Sequence, residues 1–170
     1  MSGEALTHVA IVSDDRLLRD GLVQFLSHHR ELTVTSCEPS AGGSPARIAS
    51  EHDIVLVDAR MNSMRFANSD LPGGALLIFV GASEDDAWAA AALSAGARGI
   101  LTRDASHEHL IKAIRVVRAG GIWARRRWLD ACVMHGVGAS KHRLSTQDVV
   151  DARLSRRERE VLSHAATGVG

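Results

Sequence analysis

Apolar residues along this chain fall into two kinds of run. Residues 9–12, 54–57 and 76–80 are short unbroken apolar stretches. Such stretches suit strands covered on both faces, as in a parallel sheet. Between them, apolar residues recur every three or four positions, the spacing of a helix with one buried side. Leu17, Leu18, Leu22, Phe25 and Leu26 form one such stripe, and Leu110, Ile111, Ile114 and Val117 another. Ser106 offers the second helix an N-cap, and Gly120-Gly121 ends it. Residues 84–95 are rich in alanine and predict a third helix, with Gly96 in the usual C-terminal place. Leu32-Thr33-Val34-Thr35 alternates as a half-buried strand does, and residues 99–102 read as a short strand. Pro45, after a small-residue loop, opens a further short helix.

Strands and helices thus alternate along the chain, which predicts an α/β fold with a parallel sheet between two helical layers. The open, doubly wound form of that fold places its site at the carboxyl ends of the strands. Asp14 and Asp58 stand at two such ends. Two carboxylates brought together there, with loop carbonyls nearby, suit a hard cation such as Mg²⁺. Asp14 is equally well placed to N-cap the first helix, and Asp58 could cap a turn.

Composition narrows the choice of function without fixing it. The 170 residues carry no net charge with histidine neutral, so the global charge does not argue for nucleic acid or a membrane. No apolar run approaches the roughly 20 residues of a membrane helix, and the amino terminus lacks the pattern of a signal peptide; a cytoplasmic protein is expected. Cys37 and Cys132 have no metal-ligand or redox spacing and read as small buried hydrophobes. The close pairs His28-His29 and His107-x-His109 do not share a helix face and are not read as metal ligands. No glycine-rich phosphate loop follows the first strand, and no nucleophile-elbow motif is present, so an enzyme or cofactor carrier on the same fold is not expected.

Beyond Gly121 the character changes. Residues 123–129 are basic and aromatic, either a nucleic-acid patch or a linker helix that packs its tryptophans and solvates its arginines. Residues 140–151 are polar and read as a linker. Ser155 and Glu158 have capping-box spacing at the start of a last helix.

Several stretches taken together resemble the NarL/LuxR-type bacterial response regulators. Residues 11–22 look like the opening strand, acidic pair and first helix. Residues 53–61 look like the phosphoacceptor strand, 96–104 like the last loop and fifth strand, and Ala119-Gly120-Gly121 like the close of the last receiver helix. Residues 154–162, followed by Ala165-Ala166-Thr167-Gly168, resemble the first helix of a LuxR-type DNA-binding domain. The resemblance implies a five-stranded, flavodoxin-like receiver over residues 5–124. A partly helical linker would follow over 125–152, and the start of a helix-turn-helix domain over 153–170. A whole domain of that kind needs about 45 further residues, so the sequence is read as a truncated one, without sequence-specific DNA binding of its own.

The resemblance further implies a phosphoprotein of a two-component system. A sensor histidine kinase or small phosphodonor would load Asp58, and Mg²⁺ would be held by Asp14, Asp58 and the backbone carbonyl of Arg60. The loaded form would act as a homodimer on DNA in the full-length protein. Four positions depart from the family pattern. Ser13 stands in an acidic place, Gly81 in the usual Thr/Ser place, Arg103 in the usual Lys place and Ile100 in the usual aromatic switch place. Lost ligand charge weakens Mg²⁺ binding, and arginine is not an equivalent of lysine. These departures leave open a second reading, an atypical receiver that acts through dimerisation, a ligand or a partner without phosphorylation.

Overall fold

The computed structural model describes residues 6–39, 44–61, 63, 66 and 74–134. Expectations for the polar linker and for residues 153–170 lie outside that set. The elements run β1 Thr7–Val12, α1 Arg16–Leu26, β2 Leu32–Cys37, α2 Pro45–Ser50, β3 Ile54–Asp58, β4 Leu76–Ala82, α3 Asp86–Ser94, β5 Gly99–Thr102, α4 His107–Arg118 and α5 Arg126–Met134. The strands form one sheet in the order β2-β1-β3-β4-β5, every neighbouring pair parallel. This is the five-stranded doubly wound, flavodoxin-like arrangement.

The unbroken apolar runs are explained by the two layers. Val9, Ile11, Ile54, Leu56 and Ile78 face a core shared with α1 and α4. Their alternates Ala10, Val12, Val55, Val57, Leu77 and Phe79 face a second core shared with α2, α3 and α5. Both faces of the central strands are therefore dry, and a polar residue at either parity would be buried. Over residues 32–35 of the edge strand β2, residues alternate between half-buried and exposed, which is why the sequence alternates there too.

Helix ends follow local chemistry. Asp15, Ser44, Asp85 and Ser106 each accept a backbone N–H at an N-cap. Gly96 and Gly120 adopt positive φ after α3 and α4, a conformation costly for other residues. The stripe on α4 is spent on its own sheet: Leu110, Ile111, Ile114 and Val117 are all buried.

The basic-aromatic segment resolves as a packing element. Trp128 is fully buried, and its indole N–H donates to Asp86 at 2.7 Å. Arg125 pairs with Glu84 at 2.6 Å and Arg127 with Asp86 at 2.8 Å. α5 thus folds back on α3 within the same body, and two of the segment's arginines are engaged by acidic residues at the start of α3.

Candidate acceptor site at the carboxyl edge of the sheet

The sheet order sets β1 beside β3 and β3 beside β4, so their carboxyl ends meet. Asp58 closes β3, paired across to Val80 of β4. Its side chain is 1% exposed. A charged carboxylate so enclosed must have each oxygen satisfied. Oδ1 accepts the backbone N–H of Arg60 at 2.9 Å and the Arg60 Nε–H at 3.0 Å. Oδ2 accepts the Ser13 hydroxyl at 2.8 Å and an Arg60 Nη2–H at 2.8 Å. Burial alone would raise the Asp58 carboxyl, but the Arg60 side chain, the Arg60 backbone N–H, the Ser13 hydroxyl and the Arg60 charge outweigh it. Together they hold the group below the usual carboxylate range.

Arg60 is bound on both sides. Its Nη2 also donates to Asp15 Oδ2 at 3.0 Å. Its guanidinium is held strongly protonated, first by the bond to Asp58 and next by the bond to Asp15. Asp15 is lowered by its N-cap bond from Leu18 and then by Arg60. The site is thus a chain of charges, Asp58 to Arg60 to Asp15, with Ser13 beneath it. Ser13 is fully buried. Its hydroxyl accepts the Asp15 N–H at 3.0 Å while donating to Asp58. Its carbonyl is taken by the guanidinium of Arg19, a buried arginine of α1.

Three of the sequence expectations shift here. The N-cap of α1 is Asp15, whereas Asp14 is exposed; the cap needs its carboxylate over the N–H of Leu18, and that is reached from position 15. The carboxylate joined to the Asp58 network is accordingly Asp15 rather than Asp14. Arg60, expected to matter only through its backbone carbonyl, contributes its whole side chain. Sequence reasoning also missed Arg19; a cation at helical spacing from the loop gave no sign of facing inward.

The remaining positions lie around this centre. Gly81 has φ +73, and a Cβ there would lie 3.8 Å from Asp58 Oδ1, so the place faces the acceptor but carries no hydroxyl. Arg103 is exposed and its Nε–H reaches the Gly81 carbonyl at 3.4 Å. Ile100 is 2% exposed and its backbone N–H donates to Trp123, so an apolar side chain fixed in the core fills the switch place. Beside the site opens a cleft of about 450 Å³, with Arg60 and Arg103 among its polar walls and Leu18, Leu22 and Leu110 among its apolar ones.

The residues do not fit a divalent cation well. Among the described residues no three His, Cys, Asp or Glu side chains converge on one point. The space beside the Asp58 carboxylate, out to Asp15, is filled by the Arg60 guanidinium.

A buried acidic residue at the carboxyl end of the central strand of such a sheet is the arrangement of a receiver domain. No family model matches the chain. It is 32% identical over 168 residues to the probable transcriptional regulatory protein NarL of Mycobacterium tuberculosis, covering 93% of this chain and 73% of that protein. It is 31% identical over 121 residues to the transcriptional regulatory protein LnrK of Bacillus subtilis, covering 67% of this chain and 54% of that protein. A solved two-component response regulator of the LuxR family from Aurantimonas sp. shares the fold, with a TM-score of 0.64 at 20% identity, over 79% of this chain and all of that one. The chain belongs to the NarL-type family of transcriptional response regulators.

Proposed function

We propose that this chain controls transcription by receiving a phosphoryl group on Asp58. The observation that carries the reading is the Asp58 carboxylate itself, ionised and buried at the carboxyl end of β3 between Ser13 and Arg60. A carboxylate kept ionised is the nucleophilic form of the group. Two arginines stand beside it where phosphoryl charge would arrive, Arg60 in contact and Arg103 at the rim of the cleft. A sensor histidine kinase is the natural donor, and the added charge would bias the surrounding loops and the dimer they favour. Output passes to DNA through a LuxR-type helix-turn-helix, whose first helix residues 154–162 resemble. The active form on DNA is a homodimer with an isologous contact.

The test is intact mass after incubation with acetyl phosphate. The wild-type chain gains one phosphoryl group and Asp58→Asn gains none. Equal gain in both, or no gain in folded wild type, removes Asp58 as the acceptor. A specific feature supports the phosphorylation-independent alternative: Ile100 and Gly81 supply no hydroxyl to read a phosphoryl group. A dimerisation constant unaltered by acetyl phosphate, with Asp58 shown to be loaded, would favour that alternative.

A further inference from the structure

We propose that the Arg60 guanidinium is the resident cation of this site, standing where a receiver would hold a divalent ion, so that Asp58 takes up phosphoryl without one. The proposal rests on the reading of Asp58 as acceptor.

Geometry comes first. The guanidinium fork meets both oxygens of Asp58, and one of its nitrogens also meets Asp15. The guanidinium thus bridges the two carboxylates. A planar fork against a carboxylate is the strongest arrangement available to an arginine. An incoming ion would have to displace it, and Ser13, in one of the two acidic places beside Asp58, offers a hydroxyl already donated to that carboxylate in place of a ligand charge.

Charge agrees with geometry. Asp58 and Asp15 supply two negative charges at the centre and Arg60 bridges them, with the buried Arg19 on the Ser13 carbonyl and Arg103 at the rim adding further positive charge. Replacement of an acidic residue by Ser13 lowers the positive charge needed for balance, and an arginine meets that lower demand.

The transfer step balances without a metal. An Asp58 oxygen forms a bond to the phosphorus of an acyl phosphate. The bond from phosphorus to the acyl oxygen breaks, and the carboxylate leaves with that electron pair. Each Asp58 oxygen already accepts two hydrogen bonds, so attack requires one of them to be released. The Arg60 side chain is 42% exposed, so of the donors on Asp58 it is the one with solvent to swing into, still tethered to Asp15. Its N–H groups then meet phosphoryl oxygens in place of carboxylate oxygens. The need for release makes uptake slow.

The experiment uses the whole chain and two readouts. In the first, melting midpoints are compared in chelator and in excess Mn²⁺. The wild-type midpoint stays unchanged, while that of Arg60→Ala rises by a few degrees and loses that rise in Arg60→Ala/Asp58→Asn. An equal response of wild type and Arg60→Ala, present or absent, overturns the proposal. Should Arg60→Ala fail to fold, the wild-type chain decides alone: any Mn²⁺ stabilisation that Asp58→Asn abolishes overturns it. In the second, wild-type phosphoryl uptake from acetyl phosphate has the same rate in chelator as in excess Mg²⁺. Uptake abolished by chelator overturns the proposal but leaves Asp58 as acceptor. No uptake under either condition removes the acceptor reading, while the melting comparison still judges Arg60.

Discussion

Arg60 grips both carboxylate oxygens of Asp58 from only two residues further along the chain, at 3.0 and 2.8 Å. One partner is enclosed and the other is partly wet, which sets the scale of what the pair contributes. Removing Arg60 leaves a buried carboxylate short of donors, a change that costs about 2–3 kcal/mol when the lost partner is charged. The exposure of the guanidinium keeps the figure from rising higher. Denaturant unfolding of Arg60→Ala should show a loss of that size. The same substitution made in an Asp58→Asn background should cost less than about 1 kcal/mol, since the two residues are directly coupled.

The pH dependence follows from the direction of the Asp58 shift. Its folded pKa lies below the unfolded value, so the folded state favours the charged form. The resulting stability is fully present above the unfolded pKa, about 3.9. It is lost as pH falls through the folded pKa. The melting midpoint of the wild-type chain should therefore fall with acid below about pH 4, and the Asp58→Asn chain should show a shallower fall. Identical acid profiles would mean that the pair does not stabilise the fold.

Gly81 bears on any attempt to restore the family pattern. Its φ of +73 belongs to the left-handed region. A threonine placed there should cost about 1–2 kcal/mol in backbone strain before its hydroxyl does anything useful. Gly81→Thr should accordingly melt lower than wild type. A variant as stable as wild type would show that β4 readily relaxes to an ordinary strand end.

Trp128 joins the segment after the sheet to the receiver body. It fills the core beneath α3 and bonds Asp86. Trp128→Ala should cost about 3–5 kcal/mol. Trp128→Phe should cost less, mostly through the lost indole hydrogen bond. A negligible effect of Trp128→Ala on unfolding would mean that α5 does not pack on α3 in solution.

Much of the fold is legible in the sequence because burial on both sheet faces leaves few choices. Residues 54–57 tolerate no polar side chain at either parity, so the central strand announces itself. The same holds for the stripe of α4 and its Ser106 cap. The place of Asp58 at the carboxyl end of β3 follows from the apolar run before it, whereas its acceptor role is what the family resemblance implies. Its partners do not. Asp14 and Asp15 are neighbours, and only the cap geometry of α1 decides which carboxylate turns inward. Arg60 lies 45 residues from Asp15 and meets it only because β1 and β3 are adjacent in the sheet. A cation two residues beyond a strand end reads as solvated until the opposing carboxylates are placed. The apolar run at 76–80 continues as a strand to Ala82, with an irregular register between Phe79 and Ala82 that no periodicity forecasts.

Whether Arg60 or an added ion holds Asp58 is reported directly by the Arg60 side-chain Nε–H in nitrogen-edited NMR. The predicted result is a resolved signal in the wild-type chain at neutral pH, slow to exchange, lost in Asp58→Asn and unmoved by excess Mg²⁺. A signal that Mg²⁺ erases or shifts to its Asp58→Asn behaviour would show that an ion displaces the arginine, and would contradict the account.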